Sequence, residues 1–213
     1  MATSLGQFLE QHASAAFGLL GAVGGGLLSA SASWLLRKRE YDLQLWGKLL
    51  DRRLQAHERV IQVALEMRIM IPLGGADGEG GVRRAPRVLS SKQIFEEWSQ
   101  QAIAEPGSGS TWLSTAAKRE LNFVQDYLVT LYMYLAKVPT ERYTEVGMIV
   151  RQDFIDLSSA LERQTFSFFE NDIRRLKLND LHDWHKYPRD ETDRRLNATR
   201  LLQNAQDILK LSN

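Results

Sequence analysis

The chain has 213 residues, a formal net charge of +1 and no cysteine. Its nearly neutral charge provides no global basic field for nucleic acid, and the lack of cysteine excludes disulfides, thiolate zinc sites and a cysteine nucleophile. The roughly 175 residues after Leu36 are enough for one domain with a hydrophobic core.

The first element is an uncharged segment, Ala13 to Leu36, which is followed directly by Arg37, Lys38 and Arg39. Its length of about 24 residues suffices for a helix that crosses a bilayer core of about 30 Å. A cleaved signal peptide is the alternative, but residues 1–12 contain no Lys or Arg. The positive-inside rule predicts that residues 1–12 form a short external tail and that the remainder lies in the cytoplasm.

Small residues form two neighbouring rows along this predicted transmembrane helix. Residues four apart share a face, which lets the backbones of adjacent helices approach closely. The pattern predicts a homo-oligomer, of which a pore-lining ring is one arrangement, and a weakly packed anchor is the alternative. The candidate contact residues are Gly18, Gly21, Ala22, Gly25, Gly26, Ser29, Ala30 and Ser33.

Residues 37–71 are predicted to form a stalk helix that continues the transmembrane helix, because apolar residues keep a three–four spacing. Within it, Arg52 and His57 have the R-x4-H letters that suit RNA cleavage, since His can transfer protons while Arg stabilises phosphate charge. A helix, however, places these two residues about 140° apart. Arg53 and His57 share a face instead, which favours a polar layer that sets the register between helices.

Residues 72–90 are predicted to form a flexible loop, because Pro72 ends the stalk helix and a glycine-rich stretch follows. Arg83, Arg84 and Arg87 are expected on a solvated loop, with anionic lipid or nucleic acid as the alternative partner. No alternating strand pattern of useful length is present.

Residues 91–213 are predicted to form a cytoplasmic helical bundle. We expect helices over Ser90–Ala104, Ser114–Lys137 and Glu141–Phe169, and a last helix that begins at Asp190 as its cap. The predicted core positions are Leu121, Val124, Leu128, Leu131 and Leu135 in the second helix, Val146, Ile149, Val150, Phe154, Leu157, Leu161, Phe166 and Phe169 in the third, and Leu196, Leu202, Ala205 and Leu209 in the last. The predicted fold class is therefore all-α, with one N-terminal transmembrane helix, a long stalk helix and a helical bundle.

A second pair of candidate catalytic residues lies between the last two helices, where Arg175 and His182 fit an R-x6-H pattern. This pair carries the ribonuclease hypothesis, in which His transfers protons and Arg stabilises phosphate charge. His182 and His185 with Asp180 or Asp183 are the alternative, a metal site. A polar turn that docks on the bundle or on lipid headgroups is the third interpretation.

No P-loop, G-x-G-x-x-G, G-x-S-x-G or H-E-x-x-H signature occurs in the chain. We therefore expect no cofactor and no resident metal, and the patterns favour a protein that is not an enzyme. The expected partners are membrane lipid, further copies of the chain and a cytoplasmic protein, while the near-neutral charge argues against nucleic acid without excluding it. A non-catalytic membrane scaffold is a further alternative.

The segment Leu45 to Glu58, with the sequence LWGKLLDRRLQAHE, resembles a stalk found in many uncharacterised bacterial one-span proteins. The single N-terminal span, the helical cytoplasmic domain and the R-x4-6-H letters also resemble the membrane accessory protein of type VI CRISPR systems. That resemblance implies a HEPN-like fold and oligomeric pores in antiviral defence. It therefore predicts an effector or accessory protein of the bacterial inner membrane, with the membrane-tethered HEPN-type ribonuclease as the enzymatic alternative.

Overall fold

The structure is a computed structural model that describes residues 3–76, 81–108, 110–172 and 185–212. The chain divides into two compact units, Met1–Leu50 and Asp51–Asn213. It is mainly helical, which confirms the predicted helical bundle, and it also contains one two-stranded sheet.

The secondary structure follows one order along the chain. The α-helices are α1 (Thr3–Met67), α2 (Lys92–Ser108), α3 (Thr115–Leu135), α4 (Tyr143–Ser167), α5 (Arg189–Asn197), α6 (Arg200–Gln203) and α7 (Ala205–Lys210), and the strands are β1 (Met70–Ala76) and β2 (Val82–Pro86). Short 3-10 turns occupy Arg87–Leu89, Ser110–Trp112 and Thr140–Arg142, and a π-helical turn, Phe168–Asp172, follows α4.

The first unit consists of the N-terminal part of α1, so the segment Ala13–Leu36 is helical as expected. Across the described ranges of the chain, none of the helices combines the length and the hydropathy that crossing a bilayer requires. Within this segment, the side chains of residues 13–16, 19 and 20 are not among those that the structure describes. The predicted transmembrane helix therefore has no support from the structure.

Strands β1 and β2 pair antiparallel where the sequence predicts a flexible loop without strands. Met70 lies opposite Pro86 and Ile71 opposite Ala85, and the register shifts between Pro72 and Ala76. The glycine-rich sequence accommodates this shift, because Gly75 takes a φ of +98° that most other residues avoid. The prediction missed these strands because their side chains do not alternate between apolar and polar. Only the backbone pairing defines them.

Helix α4 packs closely against the end of β2, where Ala85 and Pro86 are buried. A Cβ atom on Gly147 would lie 3.0 Å from Cβ of Ala85 and 3.3 Å from Cβ of Leu89. A glycine is therefore what allows this helix to approach β2.

The core of the second unit contains the C-terminal part of α1, where Val60, Ala64 and Met67 are buried. The predicted apolar stripe of α3 is confirmed, because all five of its positions are buried: Leu121, Val124, Leu128, Leu131 and Leu135. The stripe of α4 is confirmed through Leu161 only, with Ile149 half-buried.

The prediction that Phe166 lies in the core is wrong, since its side chain is 45% exposed, and Phe169 is only half-buried. The buried row of α4 instead passes through Leu161 and Thr165 to Phe168. Phe166 therefore lies on a neighbouring face of the helix, about 100° around the axis from Thr165.

The predicted last helix is three short helices, α5 to α7. Pro188 precedes α5, so Asp190 is not its cap, whereas the Thr199 hydroxyl caps α6 by accepting the Leu202 N–H. Because the chain leaves the helical conformation between these helices, the three-to-four-residue spacing of buried positions does not continue from one helix to the next. The fully buried residues are consequently Leu201 and Ile208, while the predicted core positions Leu196, Leu202, Ala205 and Leu209 are half-buried.

Candidate functional site

Arg53 and His57 lie one turn apart on α1, and the structure buries both of them within the second unit. The Ser114 N–H donates to Nε2 of His57 at 3.1 Å, and Nδ1 of His57 lies 2.7 Å from the Arg53 carbonyl oxygen. Because Nε2 accepts a hydrogen bond, the ring proton resides on Nδ1 and is donated to that carbonyl. Both ring nitrogens are thus engaged.

Phe168 stacks on this imidazole with the ring centroids 3.9 Å apart, and the Arg53 guanidinium lies 4.6 Å from the centroid of the same phenyl ring. Arg53 and His57 therefore lie in a buried polar group between α1, the start of α3 and the π-helical turn, and their predicted role in setting helix register stays a prediction. Arg52 points elsewhere, over the Trp112 ring at 5.6 Å. Arg52 and His57, the two residues of the R-x4-H pattern, consequently do not form a pair at a solvent-accessible surface.

The predicted contact residues of the first unit are all exposed in the single chain: Gly18, Gly21, Ala22, Gly25, Gly26, Ser29, Ala30 and Ser33. A Cβ atom added to any of the four glycines would have no heavy atom of its surroundings within 4 Å. The face is therefore unobstructed, and the assembly that the small residues predict stays a prediction.

The second candidate pair, Arg175 and His182, lies outside the described residues, as do Asp180 and Asp183. His185 lies within them, is exposed, and accepts a hydrogen bond from the Asn122 amide through its backbone oxygen at 2.7 Å. Where the structure describes the chain, no group of three metal-binding side chains is gathered.

A buried ionic cluster, which the sequence did not reveal, joins Glu120 on α3 to Arg195 on α5. Glu120 is only 2% exposed, and the Arg195 guanidinium donates to both of its carboxylate oxygens, at 2.6 and 3.1 Å. The Tyr187 hydroxyl donates to the same carboxylate at 2.8 Å. These partners lie 67 and 75 residues from Glu120, so no local spacing could indicate them.

Aromatic rings complete this cluster. The Arg195 guanidinium lies 3.8 Å from the centroid of Phe123 and 4.7 Å from that of Tyr187. Burial alone would lower the pKa of Arg195, but the hydrogen bonds and charge of Glu120 outweigh it and raise that pKa. Burial, followed by the bond to Glu120, raises the pKa of Tyr187. The cluster therefore remains a fixed ion pair with a neutral phenol.

Asp153 forms a second buried polar centre. Its carboxylate accepts hydrogen bonds from the Tyr127 hydroxyl at 3.0 Å and from the N–H groups of Arg200 and Leu201 at 2.7 and 2.9 Å. The N–H groups of Arg200 and Leu201 lie in the first turn of α6 and have no acceptor within the helix, so the Asp153 carboxylate supplies one. Burial raises the pKa of Asp153, and the three hydrogen bonds oppose that rise without cancelling it.

No family model, curated protein or solved structure matches the chain. Nothing in these comparisons bears on the resemblance to HEPN-like membrane accessory proteins, which therefore stays a prediction.

Replacing Glu120 with Ala is expected to lower the free energy of unfolding by about 3 kcal/mol, because the Arg195 guanidinium loses its buried partner. Glu191→Ala provides a matched control, since Glu191 pairs with Arg194 at a site where the arginine side chain is 72% exposed. The control is expected to change stability by less than about 1 kcal/mol. Urea denaturation of the full chain in mild detergent measures both values, and equal losses would contradict the importance of the cluster.

Asp153 is expected to make stability depend on pH in the direction that its raised pKa dictates. The folded state binds the proton more tightly than the unfolded chain, so this contribution is present at low pH and is lost as the pH rises through the folded pKa. The stability advantage of the wild type over Asp153→Asn should therefore shrink as the pH rises above about 4, the pKa of an unperturbed aspartate. A difference that grows with pH would show that the hydrogen bonds outweigh burial.

Proposed function

We propose that this chain is a membrane-anchored helical protein that assembles with further copies of itself and carries out no catalysis of its own. The segment Ala13–Leu36 provides the anchor, and the second unit is the part that meets a cytoplasmic partner. The setting at a bacterial inner membrane in antiviral defence comes from the family resemblance alone.

The observation that carries the anchor is a stretch of about 24 residues without charge, bounded by Arg37, Lys38 and Arg39. Its large apolar side chains are uncovered in the single chain, with Leu27 at 65% exposure and Leu28 at 74%. Contiguous exposed apolar surface of this kind marks a site of contact with membrane or protein. The Lys38 ammonium lies 5.5 Å from the Trp34 ring centroid, a pairing suited to a headgroup boundary.

The two small-residue rows support self-assembly within the membrane. Apolar surface alone does not drive helices together in lipid, so close backbone packing across small residues has to supply the attraction. The unobstructed glycine face provides that surface.

The buried state of His57 supports a non-catalytic role for the stalk pair. A general acid or base must reach the proton that it transfers, and this ring is fully buried with both nitrogens bonded. The ribonuclease alternative then rests on Arg175 and His182, which lie outside the described residues.

The anchor is tested by changing Val23 and Leu27 together to Asp and floating the full chain with phosphatidylglycerol-containing vesicles. Each carboxylate near the centre of a bilayer costs about 2.5–3.5 kcal/mol, so the floated fraction should fall to background. Leu43→Asp with Leu45→Asp is the matched control, because these residues are also exposed but lie beyond the basic triplet. A wild type that stays unbound, or equal losses in both variants, would rule out this anchor.

Assembly is tested by replacing Gly25 with Leu and measuring the mass of the detergent-extracted protein by light scattering. The leucine side chain should separate the packed backbones and reduce the oligomer to a smaller species. Gly24→Leu is the control, since Gly24 lies outside both rows, about 100° around the helix from Gly25. A wild-type monomer, or an oligomer that Gly25→Leu leaves unchanged, would favour the scaffold alternative.

A further inference from the structure

An open cleft lies between α3 and the start of α5, next to the buried ionic cluster of Glu120, Arg195 and Tyr187. Its volume is about 740 Å³, which falls in the range of sites for small molecules. The residues that line it are Arg119, Asp126, Lys186, Tyr187, Pro188, Arg189 and Thr192.

Among the described residues of this lining, Arg119, Lys186 and Arg189 are cationic and Asp126 is acidic. The Lys186 ammonium lies 3.7 Å from Asp126, and both side chains remain partly exposed. The Arg189 side chain is 96% exposed, and its pairing with Asp193 at 3.8 Å is solvated. A solvated pair of this kind is weak and yields easily to a better anion.

The start of α5 adds to the positive character of the cleft. Pro188 precedes this helix of nine residues, and no side chain caps its first N–H groups. Uncapped N–H groups at a helix start favour negative charge. The first turn carries two acidic residues, Asp190 and Glu191, of which Glu191 is bound to Arg194 at 2.7 Å.

One wall of the cleft is rigid because the buried cluster holds it. The Tyr187 hydroxyl donates to Glu120, and the Arg195 guanidinium lies against the tyrosine ring. The ring and the neighbouring Pro188 therefore present a fixed, partly apolar surface beside the cationic groups. A site that is organised before binding loses less conformational entropy when its ligand arrives.

From this geometry we infer that the cleft binds a small phosphate-bearing ligand. The Arg189 guanidinium, the Lys186 ammonium and a helix start together suit a multiply charged, tetrahedral anion better than a single carboxylate. The phosphate belongs either to a soluble compound or to the headgroup of an anionic lipid. This inference goes beyond the proposed function and is independent of the anchor and of self-assembly.

The test is calorimetric titration of the full chain in mild detergent with two probes, inorganic pyrophosphate and short-chain dihexanoyl phosphatidylglycerol in monomeric form. We expect saturable binding of one probe molecule per chain. The tighter probe identifies the source of the phosphate: pyrophosphate indicates a soluble compound, and the short-chain lipid indicates a headgroup.

Lys186→Gln combined with Arg189→Gln should weaken binding of the preferred probe by about tenfold or more. Both side chains are more than half exposed, so the fold should be retained, which circular dichroism checks. Lys92→Gln with Lys210→Gln is the control, because it removes the same charge from exposed sites outside the cleft. No saturation by either probe up to about 10 mM, or equal weakening in the control, would overturn the inference.

Discussion

A polar side chain that is buried in a helical domain needs a partner, because an unmet buried donor or acceptor costs about 1–3 kcal/mol. In the described part of this chain, every buried side-chain nitrogen and oxygen has one. Three side chains apply this constraint between elements of the second unit: His57 joins α1 to α3, Glu120 joins α3 to α5, and Asp153 joins α3, α4 and α6.

The same constraint separates structural polar residues from residues that remain available for chemistry. Both ring nitrogens of His57 are bonded to backbone groups, so the residue fixes the start of α3 and its Nδ1 proton is held in a buried hydrogen bond. The Glu120 carboxylate is saturated by Arg195 and Tyr187, but it holds the tyrosine at the edge of an open cleft. A fully paired buried cluster can thus shape a binding surface without taking part in binding.

The two units differ in how far their apolar side chains are buried. In the second unit, apolar side chains such as Val60 and Leu131 are covered by the chain itself. In the first unit, large apolar side chains such as Leu27 and Leu28 remain exposed in the single chain. Exposed apolar surface is unfavourable in water. We therefore propose that lipid or another copy of the chain covers these side chains.

The amino-acid sequence by itself determined the helical class and the buried stripe of α3, because helical periodicity is a local property that repeats every three or four residues. It also indicated that Arg53 and His57 share one face, which follows from helix geometry alone. The pairing of β1 with β2, the breaks between α5, α6 and α7, and the two polar centres around Glu120 and Asp153 were decided only by the tertiary structure. Each depends on backbone pairing or on side chains that lie far apart in sequence, and neither leaves a periodic signal.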